Sequence, residues 1–429
     1  MVSMTILAIF VLAPVLVDAL ADFLNVRLMN RTMREAVSRG HGEVPEEFRG
    51  IYDPERYRSS LQYQKDGLRA ETIRKVVLTP LTLAFIFLGG LDLLDRFAVS
   101  LVSSADGAHP IREGLVFVGA ISVLQGLVAL PFSIHRTFVI EERYGFNRTT
   151  PLTFLLDLLK GALVGTLIGG PALAGVLWFF GRANANTWWI CWLSMMALQL
   201  ALVFVAPAVL MPLFNRFEKL PDGDLKSAID QYTARQDFSI EGVYTMDGSK
   251  RSTRSNAFFT GFGKLRRLVL FDTLIAKQSV EELTAVVAHE IGHFKRGHIL
   301  KSLGLSALIT GFMFFGLSWI LGNAELVEAL GMRRPSVQAA LVLAAILYSP
   351  FLKLFSIFSH WLSRRAEFEA DDWSVRTYGH AGALASALKK LSAENLSNLT
   401  PHPLKIWLDY THPPVRERVA AILRAEGRS

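Results

Sequence analysis

A single cysteine, Cys191, stands in the 429 residues, and it lies inside an apolar stretch. That excludes an intrachain disulfide framework and any metal site built from cysteines. Charge is also scarce, at 19% of residues, and no internal repeat, low-complexity tract or long linker is present. With a mean hydropathy of +0.33, the chain does not read as a water-soluble protein of two or three domains. The 51% of hydrophobic residues gather instead into runs of about 20, enough as helix to cross a hydrocarbon core of roughly 30 Å. The net charge of +7 therefore reflects basic loops on the cytoplasmic side of a membrane, and no nucleic-acid partner is expected.

Seven spans are expected, near residues 4–25, 76–95, 114–134, 159–181, 188–211, 299–321 and 337–358. They should be helices, because lipid offers backbone groups no outside partner. Ala19-Leu20-Ala21 resembles a signal-peptide cleavage site, but no basic segment precedes that run, which is read as a retained span. Gly169-Gly170-Pro171 and Pro350 are expected to kink the fourth and seventh spans.

The loops carry the orientation. Eleven Arg and Lys residues, from Arg27 to Lys75, separate the first two spans. The alternate loops hold only Arg96 and Arg112, then Arg182, then Arg333 and Arg334. The positive-inside rule thus places the first loop, residues 135–158, residues 212–298 and the tail in the cytoplasm. The expected class is a mainly α, polytopic membrane protein with a small α+β unit outside the bilayer. Its organisation is a five-span membrane region (1–211), a cytoplasmic catalytic region (212–298), a two-span hairpin (299–358) and a cytoplasmic C-terminal region (359–429). Inside 212–298 the pattern predicts an amphipathic helix near Leu225–Gln236. Short strands are expected at Gly242–Met246, Asn256–Thr260 and Arg267–Phe271, the last two around Gly261-Phe262-Gly263.

Against this background one segment carries chemistry. His289-Glu290-Ile291-Gly292-His293 is H-E-x-x-H within a helical pattern. His289 and His293 lie about 40° apart on one helix face, so both imidazoles can reach one ion. Zinc binds imidazole well, and a catalytic zinc keeps one position open for water. Glu290, beside the pair, can take a proton from that water and pass it to a leaving amine. A third protein ligand is needed. His298 is near, but Arg296 and Ile299 break the metzincin pattern. The acidic run Glu367-Phe368-Glu369-Ala370-Asp371, just past the seventh span, offers a carboxylate instead. Glu367 and Asp371 share a face, so one can bind metal while the other holds an imidazole. Glu369 stands about 200° from Glu367 and is expected to face away, so its removal should be nearly silent. H-E-x-x-H and the acidic run also lie at the two ends of one helical hairpin, on the same side of the membrane.

Several segments in order resemble the type I CAAX prenyl proteases, membrane zinc endopeptidases that process prenylated C-termini. They are Tyr57 to Lys65 (YRSSLQYQK), Phe138 to Asn147 (FVIEERYGFN), Pro212-Leu213-Phe214-Asn215, Gly248 to Gly261 (GSKRSTRSNAFFTG), HEIGH, EFEAD, and Tyr410 to Arg418 (YTHPPVRER). The resemblance covers nearly the whole chain. It implies a seven-helix barrel around a large water-filled chamber, with a gluzincin-like H-E-x-x-H unit near the cytosolic side. It makes His289, His293 and Glu367 the ligands of one Zn2+ per chain and Glu290 the catalytic base, which leaves Asp371, on the same helix face as Glu367, to hold a ligand imidazole from outside. It also implies that Asn256 and Ala257 line the substrate strand, while His412 and Arg418 support the transition state.

The expected partners are a peptide or lipidated-peptide substrate and membrane lipids. Arg-, Ala- and Leu-rich usage suits a bacterial inner membrane, with the ER membrane as the alternative; the chain shows no ER-retrieval tail. In a bacterium, prenylated CAAX proteins are not an expected cellular substrate. Two other functions compete. Heat-shock membrane proteases of the HtpX type have fewer spans and lack the N-terminal portion matched here. A non-catalytic membrane chamber or chaperone has no need of a base beside two ligands.

Overall fold

The computed structural model describes residues 4–38, 44–102, 109–182, 188–261 and 266–427, so Phe262 and Gly263 lie outside the described residues. Its membrane part begins with α1 (Met4–Ser38), α2 (Pro54–Phe87), α3 (Gly90–Val102) and α4 (Pro110–His135). A π-helical stretch, Arg136–Glu141, extends α4, and α5 (Pro151–Arg182) and α6 (Trp188–Val205) follow. These helices turn apolar side chains outward: Leu167 is 65% exposed, and Leu20, Val123, Leu127 and Leu163 are exposed as well. A surface of that kind matches hydrocarbon rather than water. Hydroxyls inside the helices bond back to their own backbone, as Ser122 does to Val118 and Thr166 to Ala162. In lipid that internal bonding is obligatory.

Six helices among the described residues are long and apolar enough to span, and a seventh results when α2 and α3 count as one. The second span, expected at 76–95, needs correction: the pair bends by 65°. Gly89 makes the bend at φ +81°. A Cβ on Gly90 would fall 2.4 Å from the Phe85 ring. Side chains at these two positions would block the turn. Pro171 and Pro350 do not interrupt their helices.

The polar region then contributes β1 (Phe217–Lys219), α7 (Asp224–Arg235), β2 (Gly242–Met246), β3 (Ala257–Thr260), β4 (Arg267–Phe271), α8 (Asp272–Ile275) and α9 (Val280–Lys295). The expected helix and three strands are found within a residue of their predicted limits. β1 is additional, three residues being too short to show alternation. The sheet order is β1-β2-β4-β3, with β2 and β4 parallel and both outer pairs antiparallel. β3 is thus an edge strand, in register from Ala257 opposite Leu270 to Thr260 opposite Arg267. Ile229, Tyr232, Leu268, Leu270, Leu283, Val287 and Ile291 form the core that fastens α7 and α9 to the sheet.

The chain continues as α10 (His298–Leu321), α11 (Ala324–Glu328), α12 (Val337–Tyr378), α13 (Ala381–Glu394), α14 (Pro403–Asp409) and α15 (Val415–Glu426). At 42 residues α12 is twice the length a span requires. Its second half leaves the apolar region and packs against α9, α14 and α15. Ion pairs of Lys353 with Asp18 and Asp409, and of Lys405 with Asp22 and Asp409, join α1, α12 and α14. The acidic run is therefore carried on the same rigid rod as the last span.

Candidate metal centre

A capping box starts α9. The Ser279 hydroxyl accepts from the Glu282 amide, and the Glu282 carboxylate accepts from the Ser279 amide. The helix then buries Leu283 to His289 and turns both histidines toward α12. Gly292 sets the approach. A Cβ there would sit 3.0 Å from Trp373 Cβ and 3.1 Å from the Ala370 backbone. The glycine within HEIGH is thus what lets α9 lie close enough to α12 for its histidines to meet Glu367.

The three side chains converge. The Nε2 atoms of His289 and His293 are 3.1 Å apart. Glu367 places Oε2 3.5 Å from the first and Oε1 3.3 Å from the second. Donors held tetrahedrally at about 2.0–2.1 Å from one ion stand roughly 3.3 Å from each other, so the spacing fits a metal. Glu367 Oε2 is buried without a well-formed hydrogen bond although Arg418 Nη1 lies 2.9 Å away. A carboxylate whose two oxygens face two imidazole nitrogens makes the donor set that a divalent cation completes.

Asp371 Oδ1 lies 2.9 Å from His289 Nδ1 and so holds that imidazole from behind. Arg418 bonds Asp371 at 2.7 and 2.8 Å and pairs with Glu367 at 2.9 Å. Every guanidinium nitrogen is engaged by the two carboxylates or by His289. The physical reason is that neighbouring buried carboxylates need a counter-charge. Burial alone would lower the pKa of His289, but its hydrogen bonds to Asp371 and Glu367 push it up to about 9 in the metal-free protein.

Glu290 lines a cavity of about 970 Å³ together with His293, Phe258 and Phe259. Burial raises its carboxyl pKa, and the two neighbouring histidines offset part of that rise. His412 faces the open side, 64% exposed, with Nε2 3.2 Å from Glu367 Oε1. Asn256 immediately precedes β3: its side-chain oxygen accepts from the Ala257 amide at 2.9 Å, and its carbonyl accepts from Phe271 at 3.1 Å. Ala257 is half-buried in the edge strand. From this strand Phe258 and Phe259 line the cavity, and the sequence pattern did not single them out.

Glu369 requires a second correction. It does lie off the face of Glu367, but it is not idle. Its Oε2 is 3.1 Å from His298 Nε2, and His298 Nδ1 is 3.0 Å from His293 Nδ1. The helical angles within α12 are sound; what they cannot show is that the chain after α9 returns to that side. Gly297, left-handed at φ +68°, makes the return. A glycine after the last helical turn was the signal available in the sequence.

Residues 34–216 match the family model described as the CAAX prenyl protease N-terminal region of five membrane helices. Residues 219–426 match peptidase family M48. The human CAAX prenyl protease 1 homolog is 32% identical over 432 residues, covering 88% of each chain. That of Arabidopsis thaliana is 31% identical over 382 residues, covering 88% of this chain and 90% of its own. CAAX prenyl protease 1 of Saccharomyces cerevisiae is 30% identical and covers 91% of each chain. The crystal structure of S. mikatae Ste24p superposes with a TM-score of 0.91 at 28% identity, over 98% of both chains.

Proposed function

The chain belongs to the type I CAAX prenyl proteases of peptidase family M48, membrane metalloendopeptidases, and on that premise we propose that it uses zinc to cut CAAX-type peptides near their C-termini. The observation that supports this most is the convergence of His289, His293 and Glu367 at the spacing of tetrahedral zinc donors. A zinc ion held by those three residues would polarise the scissile carbonyl and lower the pKa of a water bound beside it. Glu290 takes the proton of the attacking water and delivers it to the leaving amine. His412, on the open side, donates from Nε2 to the developing oxyanion. The free edge of β3, led by Asn256 and Ala257, pairs with the extended substrate backbone, and Phe258 and Phe259 give its apolar residues a wall. Asp371 and Arg418 keep the ligands in place.

Removal of the metal tests this directly. Protein purified in detergent should contain about one zinc per chain. Phenanthroline should abolish cleavage of a farnesylated CAAX peptide, and added zinc should restore it. Full activity in metal-free protein would contradict the reading, and cleavage of unrelated denatured membrane proteins in preference to CAAX peptides would favour a quality-control protease.

We further propose that the metal centre faces the cytoplasm, from the eleven basic residues between Arg27 and Lys75 against the sparse charge of the alternate loops. With Cys191 replaced by Ser, Asp222→Cys should react with an impermeant thiol reagent only from the cytoplasmic side. Arg112→Cys should react only from the opposite side. The reverse pattern would turn the protein over in the membrane.

A further inference from the structure

Each ligand imidazole in this centre has a partner behind it, and the two partners differ. His289 leans directly on Asp371 at 2.9 Å. Among the described residues no carboxylate stands at His293 Nδ1; His298 is there at 3.0 Å, and Glu369 stands beyond His298 at 3.1 Å. We infer that His298 and Glu369 are positioning residues that hold His293 in its metal-binding orientation through a chain of two hydrogen bonds. The inference rests on the zinc reading above.

Metal binding fixes the direction of that chain. His293 offers the lone pair of Nε2, the atom facing His289 and Glu367. Its proton is therefore on Nδ1, which donates to His298 Nδ1. His298 then carries its own proton on Nε2 and donates to the Glu369 carboxylate. Each ring has one donor and one acceptor, and every one is used. Arg365 Nε holds the other Glu369 oxygen at 3.1 Å and so fixes the end of the chain. A ligand imidazole held in this way has a set tautomer and ring plane.

The backbone is arranged for the same purpose. Five residues along an unbroken helix, His298 would be turned about 140° from His293. The left-handed Gly297 ends α9 and starts α10 in a new direction, which carries the buried His298 back against His293. Both sides of α12 then serve the metal. Asp371 buttresses one histidine from one side, and Glu369 reaches the other through His298.

The test uses the full-length protein in detergent, with zinc affinity measured by competition against a chromophoric chelator. The visible spectrum of the cobalt-substituted form reports ligand geometry. His298→Ala should weaken metal binding about 10–100-fold and alter the cobalt spectrum. His298→Gln retains an acceptor and a donor at nearly the spacing of the imidazole nitrogens and should recover part of the loss. Glu369→Gln can still accept from His298 and should fall between wild type and His298→Ala. Asp372→Asn, a neighbouring acidic position on α12 paired with Arg376 at 2.9 Å, should leave both readouts unchanged.

Wild-type affinity and spectrum in His298→Ala would overturn the inference. A Gln variant no better than Ala would reduce His298 to a packing residue. Loss of metal as complete as in His293→Ala would make His298 a ligand itself. If His293→Ala keeps its zinc, the zinc reading fails rather than the positioning role.

Discussion

Glu290→Gln should lower turnover at least about 10²-fold while zinc content stays at the wild-type level. The amide keeps the size of the side chain and its place on the cavity wall beside His293. It has no basic oxygen with which to take a proton from water. Burial gives this carboxylate a raised pKa, and so a stronger base than an exposed glutamate provides. The direction of the pH effect follows. The base works only when deprotonated, so wild-type kcat/KM falls on the acid side as Glu290 takes up its proton. The residual activity of the Gln variant should lack that limb. A fast variant, or an unchanged acid limb, would mean that another group activates the water. Metal analysis alongside the kinetics separates loss of the base from loss of the ion.

Glu367→Ala should bring both zinc content and peptide cleavage to background. Two imidazoles from one helix turn are too few to hold a catalytic ion, which takes three protein ligands. The variant also removes one of the two carboxylates ion-paired with buried Arg418 among the described residues, so retention of the helical circular dichroism has to be checked in the same sample. Asp371→Asn gives the contrast. It keeps the shape behind His289 and should lower zinc affinity or activity about 10–100-fold without abolishing binding. Asn serves better than Ala at this position, because its side-chain oxygen can still accept from the buried Arg418 guanidinium, whereas Ala leaves those donors without that partner. A Glu367→Ala protein that keeps one zinc per chain would remove Glu367 from the ligand set. His412, 3.2 Å from Glu367, would then be the first replacement to examine.

Much of this protein is legible in local pattern, for a physical reason in each case. Lipid leaves an apolar run of about 20 residues no choice but helix, so most spans can be read from hydropathy. The short apolar and β-branched runs at Gly242–Met246 and Arg267–Phe271, bounded by turn residues, are a property of neighbouring residues, and both strands appear with those limits. His289, Glu290 and His293 share one turn of one helix, so their grouping needs no other part of the chain.

Other features depend on what packs against what. The second span bends by 65° because Gly89 adopts a left-handed backbone, which apolar composition does not encode. Arg418, some fifty residues beyond Glu367 and Asp371, meets them only because α15 docks on α12. Glu369 lies at the wrong angle on its own helix. It nonetheless serves His293, because the turn at Gly297 brings His298 around to it. The sequence settles which residues can do chemistry wherever they lie within one element. Contacts between elements depend on helix approach and on single backbone torsions, so the fold alone assigned His298, Glu369 and Arg418 their partners.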